Sequence, residues 1–226
     1  PIKDKEIEAC AENNITYLGL EVAYDGLAVV VNPENTWVDS FTVEELKKIW
    51  EPAAQGKIMK WNQIRPEWPN EEIHLFGPGV ASGTFDYFTE AINGKSGTSR
   101  GDFTASEDDH VLVQGIAGDK YALGFFGLAY YEESKDKLAL VGVHNGKEVV
   151  KPTLETVSNG TYSPLSRPLF IYVNSSSIKQ PEVIEFVNFY LDNAAELSED
   201  VGYIKLPAEI YAKQKENFKA FVEKNK

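Results

Sequence analysis

The chain has 226 residues, of which 42% are hydrophobic and 25% are charged, a composition typical of a globular protein with one large core or two small ones. Its formal net charge of −13 disfavours a nucleic acid or an anionic membrane as partner, because such partners need a basic face. The single cysteine, Cys10, permits no internal disulfide and does not identify the compartment. The longest apolar run, residues 26–31, has the length of a strand rather than of a membrane span.

Predicted helices and strands alternate along the first half of the chain. A short helix is predicted over residues 4–11, and two β-rich runs follow at 15–20 and 21–31. Thr42 and Glu45 have the spacing of a capping box, which predicts a helix that begins there and continues through Trp50.

The second half continues the alternation. Ser106 is predicted to cap a helix with an acidic first turn, and Asn145-Gly146 is typical of a hairpin turn. The remaining elements are strands over 122–128, 138–143 and 168–174, and helices over 155–159, 181–191 and from Pro207 to about 224. The alternation predicts an α/β fold.

The most informative stretch is residues 73–92, which is predicted to form a short strand, a glycine-containing loop and an amphipathic helix. Phe85, Phe88 and Ile92 have helical spacing, and Ser82 or Thr84 is the expected N-cap. Such a loop leaves backbone N–H groups unpaired at the positive end of a helix. Gly83 allows close approach, and the two hydroxyls add donors. The pattern predicts a cradle for a small oxyanion; a capped loop that binds nothing fits the local sequence equally well.

Arg100 is the candidate for a positive charge near this cradle. It is one of three arginines and lies in the Gly- and Ser-rich segment 94–101, for which a flexible loop is predicted. A guanidinium there could give bidentate bonds to a tetrahedral oxyanion, or it could be a solvated loop side chain. Of the other two, Arg167 is interpreted as structural, pairing with carboxylates near a chain crossover.

Patterns of catalytic residues are sparse. His74, His110 and His144 lie far apart without metal-ligand spacing, and neither a nucleophile elbow nor a phosphate loop occurs. Residues 107–109 are acidic and could ligate calcium or, as the simpler interpretation, balance a helix dipole. Cys10 is interpreted as an inert thiol. We therefore expect no catalytic residue, no metal and no cofactor.

Four segments together resemble the phosphate-binding proteins of bacterial phosphate ABC transporters: residues 77–90, 106–115, 164–173 and 202–207. The resemblance covers nearly the whole chain. It implies an α/β, type II periplasmic-binding-protein-like fold, with two lobes of mixed sheets flanked by helices and an incomplete first lobe. Residues 1–32 and 163–226 would be the remnant of lobe I, and residues 33–162 would form lobe II. The resemblance also implies that Ser82, Gly83 and Thr84 bind phosphate.

The sequence departs from the family in two places. Many members carry an arginine four residues before the serine of Ser-Gly-Thr, where this chain has Pro78; we predict that Arg100 substitutes for it. Members also begin with a strand, a helix and an Asp-bearing segment, which the resemblance places before Pro1. That aspartate accepts a hydrogen bond from protonated phosphate and repels sulfate, which has no proton to donate. Asp86 is a nearby carboxylate, but it is interpreted as a capping residue in the first turn of the predicted helix.

The function expected from the resemblance is that of an extracytoplasmic solute-binding protein, periplasmic or lipid-anchored. It would capture inorganic phosphate between two lobes as a monomer and deliver it to the permease subunits of an ABC transporter, without being an enzyme. The alternative is a phosphatase-like hydrolase of phosphate esters, since some relatives are reported as such. A third hypothesis is a lone second lobe that acts only as an interaction module.

Overall fold

The computed structural model describes residues 1–225 and divides into two compact units. Unit 1 combines Pro1–Asp25 with the residues from Arg167 onward, and unit 2 is Gly26–Ser166. The chain therefore passes between the units at two places, 25/26 and 166/167. The predicted lobe boundaries, 32/33 and 162/163, stay a prediction.

Nine strands and eight α-helices lie within the described residues. The strands are β1 Tyr17–Val31, β2 Ser40–Phe41, β3 His74–Pro78, β4 Thr104–Ser106, β5 Ala122–Gly127, β6 Ala139–Leu140, β7 Gly142–His144, β8 Val149–Val150 and β9 Ser166–Asn174. The helices are α1 Asp4–Glu12, α2 Val43–Trp50, α3 Gly83–Asn93, α4 Asp109–Ala117, α5 Leu128–Ser134, α6 Leu154–Ser158, α7 Pro181–Asp200 and α8 Ala208–Asn225. Three short 3₁₀ helices connect them at Pro52–Ala54, Trp61–Gln63 and Ser177–Lys179.

The main sheet is mixed, in the order β4-β3-β5-β1-β6, and β9 also pairs with β1. Strand β3 is parallel to both β4 and β5, whereas β1 is antiparallel to β5 and β6. A second sheet has the order β2-β7-β8, and its antiparallel β7–β8 pair is the predicted hairpin, with Gly146 at a φ of 95°. Mixed sheets flanked by helices confirm the predicted α/β class.

An aromatic core in unit 2 fixes helix α3 on this sheet. Phe88 of α3 stacks on Phe125 of β5 with ring centroids 3.7 Å apart, and Trp50 of α2 meets Phe125 edge to face at 5.0 Å. All three side chains are buried. Because large aromatic contacts are specific in geometry as well as apolar, they set the position of α3 and therefore of its N-terminus.

Unit 1 has its own smaller core, which packs α7 and α8 against strand residues. Its buried cluster includes Leu20 and Val22 of β1, Val173 of β9, Leu191 of α7 and Phe218 of α8. Asp25 and Arg167 form an ion pair in this unit, with Nη2 and Oδ2 3.1 Å apart, which agrees with the structural interpretation of Arg167. Within residues 1–225, no helix combines the length and the apolar character needed to cross a membrane.

The structure corrects several predictions of helices and strands. The two β-rich runs form one strand, β1. The strand predicted at 122–128 ends at Gly127, and the unpredicted helix α5 begins at Leu128. Asp108, not Ser106, caps α4: its carboxylate accepts from His110 N–H at 2.9 Å, while Ser106 Oγ donates to the Asp108 carbonyl. Helix α7 extends well beyond residue 191, to Asp200.

Candidate functional site

The predicted cradle lies where β3 ends and α3 begins. Ser82 is the N-cap of α3: its backbone is extended, and its Oγ accepts a hydrogen bond from Thr84 N–H at 3.2 Å. The loop before it is closed by a turn in which Ser82 N–H donates to the Gly79 carbonyl at 3.0 Å. The sequence offered Ser82 or Thr84 as the N-cap, and in the structure it is Ser82.

Several donors at this helix terminus remain available. Within residues 1–225, the backbone N–H groups of Gly83 and Phe85 have no hydrogen-bond partner, and the hydroxyls of Ser82 and Thr84 donate to no other group. A Cβ added at Gly83 would meet no atom within 4 Å, so the space beside this residue is open. Unpaired N–H groups, hydroxyls and the positive end of an 11-residue helix are together suited to an anion.

A second loop runs beside the cradle, because β3 and β4 are parallel neighbours with Pro78 opposite Ser106. The chain leaves both strands at the same edge of the sheet. Glu107 folds back across the first loop, where its Oε1 accepts from Ala81 N–H at 3.4 Å. A Cβ at Gly79 would lie 2.0 Å from this oxygen, so the carboxylate lies against a position that has no side chain. The contact depends on strand pairing, and no sequence signal indicated it.

The carboxyl of Asp109, the first residue of α4, has a raised pKa. Burial raises the pKa of the Asp109 carboxyl to about 6, and the negative charges of Asp108 and Glu107 act in the same direction, while nearby His110 opposes them. Of the three carboxylates, that of Glu107 bonds to the loop before α3, so it places a negative charge beside the positive helix terminus.

The alternative that Arg100 is a solvated loop side chain is wrong. Its side chain is only 2% exposed, and its Nε and Nη2 donate to both carboxylate oxygens of Asp102 at 2.5 and 2.8 Å. Nη1 donates to the carbonyls of Ile49 and Ile58 at 3.1 and 2.7 Å. The guanidinium therefore connects α2, the segment after it and residue 102.

The other arginines also have partners. Arg65 donates from Nε and Nη2 to the two carboxylate oxygens of Glu45 at 2.7 and 2.9 Å, and its guanidinium lies 4.7 Å from the centre of the Trp68 ring. Arg167 pairs with Asp25, as described for unit 1. Among the described residues, no group of three or more His, Cys, Asp and Glu side chains is arranged to hold a metal ion.

Comparison with known proteins places this geometry in a family. The family model described as a PBP superfamily domain matches residues 1–194. A protein named SphX from Synechocystis is 53% identical over 212 residues, covering 93% of this chain and 63% of the relative. The phosphate-binding protein PstS of Staphylococcus aureus is 35% identical over 230 residues, covering all of this chain and 67% of the relative. The chain thus spans about two thirds of the length of these curated relatives.

A solved structure agrees with this comparison. The crystal structure of a possible phosphate binding protein from Planctomyces limnophilus superposes with a TM-score of 0.90 at 46% identity, covering 98% of this chain and 78% of that one. PstS from Borrelia burgdorferi, at 21% identity and a TM-score of 0.69, shares the fold. The chain therefore belongs to the PBP (periplasmic-binding-protein) superfamily and, within it, to the family of phosphate-binding proteins.

Proposed function

We propose that this chain binds inorganic phosphate at the N-terminus of α3 and serves as the solute-binding component of a phosphate ABC transporter. In this proposal Ser82, Gly83 and Thr84 hold the anion through backbone N–H groups and hydroxyls. The binding is reversible and involves no covalent step. The relative PstS at 35% identity and the solved structure at 46% identity, both named for phosphate binding, support the ligand class.

One observation carries the proposal: the unpaired donors lie together at one helix terminus. The N–H groups of Gly83 and Phe85 and the hydroxyls of Ser82 and Thr84 belong to four consecutive residues. In the ligand-free protein these groups can bond only to water, whereas a tetrahedral oxyanion offers acceptors in several directions at once. Hydrogen bonds to a charged acceptor are stronger than hydrogen bonds to a neutral acceptor such as water, so each donor favours binding of phosphate.

The test is isothermal titration of the protein with inorganic phosphate, and with sulfate as a second titrant. Removing the hydroxyl in Ser82→Ala or Thr84→Ala should weaken phosphate binding by about 1 to 3 kcal/mol for each lost donor. The matched control is Thr36→Ala, which deletes an exposed hydroxyl elsewhere in unit 2 and should leave binding unchanged. Absence of heat with phosphate in the unaltered protein, or equal binding by all three variants, would contradict the proposal.

The wider biological role is proposed on the same basis. We propose an extracytoplasmic location, in agreement with a transport role, and permease subunits of an ABC transporter as the protein partner. We also propose that the chain acts as a monomer and has no enzymatic activity. No observation on the described residues favours hydrolysis of phosphate esters, so a phosphatase is not proposed as a second function.

A further inference from the structure

The carboxylate of Glu107 lies beside the loop of the proposed phosphate cradle, residues 82–84. Glu107 is the only one of the three acidic residues at positions 107–109 whose carboxylate bonds to the loop before α3. The Asp108 carboxylate caps α4 through His110 N–H, and Asp109 is the first residue of that helix. The usual role of acidic residues at a helix start, which is to cap it or to balance its dipole, therefore accounts for Asp108 and Asp109. It does not account for the direction in which Glu107 points.

Two features hold the Glu107 carboxylate over the loop. Ala81 N–H, one residue before the cap, donates to Oε1 at 3.4 Å. Gly79 leaves room on the other side, since any Cβ there would lie 2.0 Å from Oε1 and 2.7 Å from Cδ. The parallel pairing of Pro78 with Ser106 fixes the two loops next to each other, so this approach follows from the sheet and not from chance packing.

We propose that Glu107 is an internal competitor for the anion-binding loop and that it sets the affinity of the site. Its carboxylate is itself an oxyanion hydrogen-bonded to the loop, in the protein without a ligand. An anion that binds at Ser82, Gly83 and Thr84 must do so beside this charge or displace it. The inference rests on the proposed function, because it concerns an affinity determinant of the same site.

The experiment removes the charge while keeping the shape. Glu107→Gln and the unaltered protein are titrated with inorganic phosphate at pH 8 and low salt. Two like charges about 4 Å apart in water repel enough to change an equilibrium about fivefold, so the variant should bind phosphate about fivefold more tightly. Glu107→Asp serves as a second variant: it retains the charge but is one methylene shorter and cannot reach Ala81 N–H in the same way. It should show a smaller gain in affinity.

Glu44→Gln is the matched control. It removes an exposed acidic charge from the first turn of α2 in the same unit and should not change the affinity. Thermal unfolding of each variant verifies that it is folded.

The outcomes separate this inference from the function on which it rests. If Ser82→Ala weakens phosphate binding but Glu107→Gln binds as the unaltered protein does, the function stands and the competitor role is overturned. Weaker binding by Glu107→Gln would also overturn it, and would show instead that the carboxylate accepts a hydrogen bond from the bound anion. If neither the unaltered protein nor Glu107→Gln binds phosphate, the proposed function and this inference both fail.

Discussion

Replacing Arg100 by alanine tests whether this arginine is structural, as its burial indicates, or a ligand contact, as the sequence suggested. The substitution removes the donor from two main-chain carbonyls, those of Ile49 and Ile58, and from the Asp102 carboxylate. The side chain of Asp102 is 29% exposed and can bond to water instead, so the loss of its ion pair with Arg100 contributes little. Each carbonyl that is left buried without a donor and without water lowers the free energy of unfolding by about 1 to 3 kcal/mol. We expect a loss of about 3 kcal/mol in the free energy of unfolding, the lower end of the range for breaking a buried ion pair.

The assay follows from where the tryptophans lie. All four, Trp37, Trp50, Trp61 and Trp68, belong to unit 2, so tryptophan fluorescence during urea unfolding reports on the unit that contains Arg100. Lys57→Ala, which removes an exposed positive charge from the same unit, is the control and should stay within about 0.5 kcal/mol of the unaltered protein. Phosphate titration of Arg100→Ala is carried out without urea, at a temperature where the variant is folded.

Two results would refute this reasoning. One is a stability loss below about 1 kcal/mol, which would mean that the bonds of Arg100 are readily replaced by water. The other is a normal unfolding curve combined with loss of phosphate binding, which would restore the sequence prediction that Arg100 contacts the anion. The expected result is the opposite combination, a less stable protein that still binds phosphate.

Two further predictions concern the loops themselves. Gly83→Ala should leave the free energy of unfolding unchanged or raise it by about 0.5 kcal/mol, because its Cβ would meet open space. The same Cβ should weaken phosphate binding, because it occupies the space through which the anion would approach the backbone. Urea unfolding and phosphate titration of one sample measure both quantities, and an unaltered affinity would contradict the cradle. Asp109→Asn should be more stable than the unaltered protein at pH 8, because the raised pKa of the Asp109 carboxyl means that its ionised form destabilises the fold. The difference should shrink as the pH falls through about 6 towards 4, where the native aspartic acid is protonated, and urea midpoints across that pH range should show it; a constant difference would refute the assignment.

Signals that lie within a few residues of one another were sufficient to predict much of the fold. The Thr42 and Glu45 capping box forms as expected, with Glu45 N–H donating to Thr42 Oγ1 at 3.1 Å and Thr42 N–H donating to Glu45 Oε2 at 2.9 Å. The helical spacing of Phe85, Phe88 and Ile92 places all three inside unit 2. In these cases the interacting residues are close in sequence, so the local sequence pattern is sufficient to predict the structure.

The failures have a common physical cause, which is dependence on distant partners. Arg100 is buried because carbonyls 42 and 51 residues away accept its hydrogen bonds, and a Gly- and Ser-rich neighbourhood gives no sign of that. Helix α5 follows β5 directly, and its N-cap, Gly127, makes no side-chain cap bond that could mark the start. Ser106 was predicted to cap α4, but Asp108, two residues later, is also a favoured N-cap residue, and the structure has Asp108 in that role.

The net charge of −13 and the proposed anion site are compatible. Surface charges more than about 8 Å from a bound anion are largely screened at physiological ionic strength, so most of the acidic residues have little effect on it. The N-terminus of α3 acts at hydrogen-bond distance, and the carboxylate of Glu107 bonds to the loop that leads into this terminus. The affinity should therefore depend on the balance between the donors around Gly83 and the charge of Glu107. Changing distant acidic residues should alter mainly the rate at which phosphate arrives, through long-range repulsion that salt removes.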